Sequence, residues 1–323
     1  MNPDVAAAAM RLGRDTVLTR KQTALFGRVA RCGLVSIRLE LRTLLYGGVL
    51  AVMGGVGLLV QQNLDRIGPV AIASALWLGA LGALVWALRH APPFAWGEST
   101  SSHLAFDYIL LLAVLLVGAA LAYTEARFTP LGPAWRHHLL VMSLFAGVLA
   151  VRGDSRMVAS ISLTTFAAWC GVAASPFGRA FWASGSAEGP LRRNAIVTGL
   201  LFVGLGYALV RSGKKAHFEP PAAHLGWLLV LAAILSGIGA RGGAGAAFQL
   251  GLLVVGAGLA FFSFRAGRFG LFGMGLVAAY IGLSALVVPG IRGEFLGFSW
   301  FTCTGVAALA TLLLAHKNIK ARS

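Results

Sequence analysis

The sequence predicts an all-α fold, a polytopic bundle of membrane helices, and three observations carry that reading. Of 323 residues, 58% are hydrophobic and only 12% charged, against roughly a quarter charged in an ordinary soluble domain. Mean hydropathy is +0.79. Several apolar runs reach about 20 residues, the length an α-helix needs to cross a hydrocarbon core roughly 30 Å thick.

The elements follow in order. Residues 1–42 form a polar, basic lead with no apolar stretch ahead of a cleavage site, so no secretory signal is expected there. From about residue 20 it reads as an amphipathic helix. Arg28, Arg31, Arg38 and Arg42 fall on one arc, and Leu25, Val29, Ile37 and Leu41 on the other. Such a helix suits an anionic cytoplasmic leaflet, and the four arginines are candidates for membrane-surface or partner docking. Ten spans are expected over 43–316, at about 43–62, 68–88, 105–124, 137–151, 157–174, 194–211, 223–240, 245–264, 269–289 and 296–315. The fourth and fifth are the shortest, and a re-entrant pair is the alternative for them. A short basic cytoplasmic tail closes the chain at 317–323.

Charge placement orients these spans. With the N-terminus inside, the inside segments hold 19 of the 27 Lys and Arg, and the outside loops hold eight. That excess predicts an N-in, C-in topology with an even number of spans. It also accounts for the net charge of +16 without nucleic acid, since the positives sit in loops and at the N-terminus. The 42 glycines fit helices that approach closely in lipid, through pairs such as Ala51/Gly55, Ala233/Gly237 and Gly275/Ala279. Apolar matches between spans one and six, two and seven, and five and ten point to a weak five-plus-five inverted repeat, the plan of many secondary transporters. Gly, Ala, Leu and Val make such matches easy by chance, so the repeat stays one alternative.

Residues able to do chemistry are few. Asp107 is the one carboxylate arguably within a span, and it lies near the start of the third, where it reads as an interfacial residue or helix cap. Glu125 and Arg127 read as a boundary pair. His137 and His138 are adjacent, so they do not share a helix face, and they read as interfacial anchors. The three cysteines lack CxxC spacing. No zinc spacing, GxSxG or phosphate-binding loop occurs, so neither a cofactor nor a metal is expected, and the chain reads as no enzyme.

The stretch VRGDSRMVASISLTTFAAW, 151–169, places Arg152, Asp154 and Arg156 between spans four and five. Gly153 allows a tight turn. Asp154 or Ser155 can cap the following helix, and Arg152 suits the end of the preceding one. A lost cap there costs about 1 kcal/mol. The cluster is therefore a candidate for capping or for a functional role.

That stretch and LRTLLYGGVLAVMGGVGLLVQQNLDRIGPVAI, 41–72, carry a resemblance. Both are similar to an uncharacterised family of bacterial polytopic predicted membrane proteins, a domain of unknown function. Its members begin with a glycine-rich hairpin whose polar turn resembles NLDRIGP. The resemblance covers the first half of the chain, while the basic lead departs from the longer, acidic-to-mixed N-terminal region of many members. It implies a bacterial inner membrane and many spans, and nothing about substrate. The reading that follows is a non-catalytic subunit or scaffold of a membrane assembly, whose partners are the bilayer and other membrane subunits or a second copy. The alternative is a secondary transporter or lipid-handling protein built on an inverted repeat, with an integral membrane enzyme behind it.

Overall fold

The computed structural model describes residues 38–99, 105–128, 136–172, 188–239, 243–290 and 294–322. Among these residues the chain is all-helical, with ten α-helices and no strand. They are α1 (Arg38–Ile67), α2 (Pro69–Arg89), α3 (Phe106–Phe128), α4 (Arg136–Gly153), α5 (Arg156–Ala167), α6 (Glu188–Ser212), α7 (Glu219–Leu235), α8 (Gly243–Arg265), α9 (Phe269–Val287) and α10 (Glu294–Arg322). Each expected span has a helix at its place.

Seven of the described helical stretches are long and apolar enough to cross a membrane, in α2, α3 and α6 through α10. In α1 and α4 the apolar stretch is shorter, Thr43–Leu59 and His137–Gly153. Helix α5 has 12 residues and runs on as a single π-helical stretch, Ala168–Val172. At about 1.5 Å per residue, α5 alone falls well short of a hydrocarbon core. The two spans that look weakest in sequence are thus among the short helices. Arg28 and Arg31 lie outside the described residues. Arg38 and Arg42 open α1, and α10 continues helically through the expected tail to Arg322.

The chain divides into two compact units, the first ending at Leu64 and the second starting at Asp65. In the first, α1 carries Gly47, Gly48, Gly54, Gly55 and Gly57, and an added Cβ at any of them would meet nothing within 4 Å. In the second unit, sequential helices pair. The tight pairs are α2/α3, α4/α5, α6/α7 and α8/α9, and α10 rests more lightly on α9. A five-plus-five correspondence would carry α2/α3 onto α7/α8 and α8/α9 onto α3/α4. The tight pairing follows a two-helix period instead.

Small residues explain how closely the pairs approach. A Cβ on Gly199 of α6 would lie 2.5 Å from the Gly226 carbonyl oxygen of α7, and one on Gly226 would lie 2.6 Å from that of Gly199. In α8/α9, a Cβ on Gly256 would lie 2.5 Å from the Ala279 nitrogen and one on Gly275 would lie 2.5 Å from the Ala260 nitrogen. Lipid is as apolar as a leucine side chain, so helices gain little from hiding apolar surface and depend on such close packing. The Gly275/Ala279 pair therefore holds α9 to α8 within this chain, and Gly237 packs on the Phe248 ring. In α4/α5 the Ser143 hydroxyl donates to the Ser162 carbonyl at 3.0 Å, and the Ser162 hydroxyl returns the bond to Ser143 at 2.8 Å. Among the described residues the larger apolar clusters lie around Phe106, Leu110, Val114 and Val158 and around Leu231, Leu252, Leu259 and Leu271, with a smaller one at Ala260, Phe272 and Ala315.

Candidate functional site

The site is built on the turn between α4 and α5, the RGDSR sequence. Gly153 ends α4 against the start of α3, where a Cβ would lie 2.6 Å from Leu110 Cδ2 and 3.3 Å from the Phe106 ring. Any side chain there would have to displace the buried Leu110, so the close approach favours glycine beyond any need of the turn. Asp154 follows with φ 59, a left-handed backbone uncommon for a residue with a Cβ but more open to Asp than to most. Ser155 takes the N-cap position of α5 with an extended backbone, yet its side chain makes no cap hydrogen bond.

The Asp154 carboxylate turns toward two other loops, and its side chain is 1% exposed. Its Oδ2 accepts the backbone N–H of Ser99 and, at 2.8 Å, the Ser99 hydroxyl. Its Oδ1 accepts Lys215 Nζ at 2.8 Å, and that lysine side chain is 3% exposed. His217 Nε2 lies 2.7 Å from the same oxygen. The approach is off the line of the ring N–H, so Nε2 sits against the carboxylate without an aligned hydrogen bond. Burial pushes the Asp154 carboxyl up. The Lys215 hydrogen bond, both Ser99 donors and the His217 charge pull it down, and the net effect holds it below the ordinary carboxylate value.

Lys215 closes the arrangement from its own turn. Its φ is 51, a second left-handed residue with a side chain. Its backbone N–H donates to the Trp96 carbonyl at 2.7 Å, and Nζ stands 5.1 Å from the centroid of the Phe94 ring. Lys214 Nζ stands 4.9 Å from the Trp96 ring, and Phe94 and Trp96 meet edge to face at 5.1 Å. Arg152 donates to the Pro92 carbonyl at 2.7 Å, and Arg156 pairs with Glu98 at 2.8 Å on the surface. The segment 91–99, which follows α2, is thereby strapped to the α4–α5 turn and to the α6–α7 connection.

A further pair extends the network. Glu219, the first residue of α7, is bonded to Arg268 in the α8–α9 turn. The turns of all four hairpins are therefore joined at one end of the helices. At the opposite ends Glu125 pairs with His138 at 2.5 Å, and Arg192 donates to the Ser236 hydroxyl and carbonyl at the end of α7. Glu125 thus binds a histidine of the next helix, and the residue expected to anchor at the interface serves as its partner.

Of the residues singled out in sequence, the structure brings Arg152, Asp154 and Arg156 into one assembly, each with a different neighbour along 91–99 or 215–217. Asp107 lies exposed in the first turn of α3. The residues that sequence reasoning missed are Ser99, Lys215 and His217. In sequence Lys215 is one of the inside positive charges and carries no signal beyond that. One signal was available: charge placement puts the loops holding Asp154 and Lys215 on one side, where opposite charges can meet.

Chemically the arrangement is cohesive. A buried carboxylate accepts from three donors and faces the His217 ring nitrogen besides. The Ser99 hydroxyl donates to the carboxylate and not to the imidazole, so His217 is not placed as its base. Among the described residues no group of three or more His, Cys, Asp or Glu is placed to hold a metal ion. Comparison of the chain with protein-family models, with curated proteins and with solved structures finds no match.

Proposed function

We propose that this chain is a non-catalytic, multi-spanning protein of a bacterial inner membrane that serves as a subunit or scaffold of a membrane assembly. One observation carries the reading. The polar side chains of the candidate site are spent on one another, with Asp154 buried under Lys215, His217 and Ser99. They bind the hairpin turns into one piece and so give the helices a fixed outer surface. That surface carries large apolar side chains, among them Leu78, Leu144, Tyr207, Phe262 and Leu313, suited to lipid or to neighbouring membrane helices.

The test is affinity purification of the tagged full chain from native membranes in mild detergent, with quantitative mass spectrometry of what co-purifies. A partner at fixed ratio is expected, and its chemistry would name the assembly. Recovery of a lone monomer or homodimer across several detergents would sink the subunit reading and favour the transporter alternative.

A further inference from the structure

We propose that the face formed by the joined hairpin turns binds the headgroups of anionic phospholipids, with Arg211 and Lys214 on the phosphate and Phe94 and Trp96 in the interfacial layer. The inference rests on the membrane character of the seven apolar helices and not on the subunit reading.

Charge on this face leads the argument. Its described turns, 89–99, 105–107, 152–156, 211–219 and 265–269, hold eight Lys and Arg against four Asp and Glu. The acidic groups are largely committed. Asp154 is buried with Lys215, Glu98 is paired with Arg156, and Glu219 with Arg268. Arg211 and Lys214 are exposed and carry no carboxylate partner among the described residues. The face thus presents net positive charge to whatever lies beside the membrane surface.

The aromatic residues are the second, independent observation. Phe94 and Trp96 are 48% and 54% exposed, although they sit in a segment pinned at both ends by Pro92 and Ser99. An exposed Trp ring held in place suits the headgroup level, with its ring body toward hydrocarbon and its N–H toward water, and Phe94 packs edge to face on it. Lys214 stacks on the Trp96 ring, so the cation stands where the ring meets the surface. A protein partner of acidic surface would satisfy the charge alone. Cation and aromatic together at the end of an apolar bundle fit a lipid with a negative headgroup. Each cation near an anionic surface contributes about fivefold in binding.

The experiment is native mass spectrometry of the purified full chain in detergent, titrated with dioleoyl phosphatidylglycerol or dioleoyl phosphatidylcholine. Wild type should retain phosphatidylglycerol over phosphatidylcholine. The double variant Arg211→Gln, Lys214→Gln should bind phosphatidylglycerol more weakly by on the order of twenty-fold. Arg193→Gln, an exposed change near the other end of α6, should bind as wild type does. Lys214→Arg, which keeps the charge, should do so too, whereas Lys214→Gln alone should weaken phosphatidylglycerol binding about fivefold and so tests the site even if the double variant folds poorly. Equal retention of the two lipids overturns the proposal. So does a well-folded double variant that binds as wild type does, or self-association through this face in place of lipid binding.

Discussion

Asp154 and Lys215 each hold a left-handed backbone angle, and each finds its main partner in the other. Such conformations cost on the order of 1–3 kcal/mol and persist where surroundings over-determine them. Here the surroundings are three loops and a buried ion pair. The substitution Asp154→Asn separates a cap from an ion pair. Asn caps a helix about as well as Asp, so capping alone predicts almost no change. Removing one partner of a buried pair strands the other charge and costs about 3–5 kcal/mol. We expect the larger loss, read as a fall in the thermal midpoint in detergent. Adding Lys215→Met should restore part of it, because the stranded charge goes too. Acid should act on the same contact. A carboxyl held below its ordinary value when folded contributes stability at neutral pH and loses it as pH falls through the folded value. The gap between wild type and Asp154→Asn should stay constant near neutrality and close only below the usual carboxylate range. A gap that closes near neutral pH would place the decisive titration on another group. Sequence pointed to Asp154 because a lone acid between two arginines stands out in an apolar chain. It could not show that the carboxylate turns away from its own helix, since that depends on loops about 55 to 60 residues distant.

The α6/α7 and α8/α9 hairpins are held by positions where only a small residue fits. Gly256 and Gly258 are two residues apart on α8, and their surroundings differ sharply. A Cβ on Gly256 would lie 2.5 Å from the Ala279 nitrogen, whereas one on Gly258 would meet nothing within 4 Å. Gly256→Ala should therefore push α9 outward and cost about 1–3 kcal/mol, as overpacking does. Gly258→Ala should be neutral or stabilising by up to about 1 kcal/mol, because Ala is the better helix former. Thermal unfolding of both variants in one detergent checks the pair, and equal effects would contradict the packing described. The existence of these helices was legible from apolar runs and their punctuation. Which glycine meets a neighbour was not, because composition marks every glycine alike and helix rotation decides. The same limit applies to α1, whose five glycines look like a packing face in sequence yet meet nothing within 4 Å.

Joined turns make a claim about the molecule as a whole, that four hairpins point the same way. Lys215 reaches both the 91–99 segment and the α4–α5 turn, and Glu219 reaches the α8–α9 turn. Those bonds place the ends of α2, α4, α6 and α8 together. Charge placement in the sequence assigns the same four turns to the inside, so two independent arguments converge on one side. Cysteine labelling tests them in a variant lacking Cys32, Cys170 and Cys303. Ala95→Cys, Ser212→Cys and Ala266→Cys lie exposed in or beside the turns, and Arg193→Cys and Gly239→Cys lie exposed toward the other ends of their helices. A membrane-impermeant maleimide applied to intact cells should label the second set and spare the first. After permeabilisation all five should react. Labelling of the turn set from outside would reverse the orientation while leaving the hairpins intact. A split within the turn set is the sharper outcome, because the bonds from Lys215 and Glu219 cannot cross a bilayer and the joined face would then be wrong.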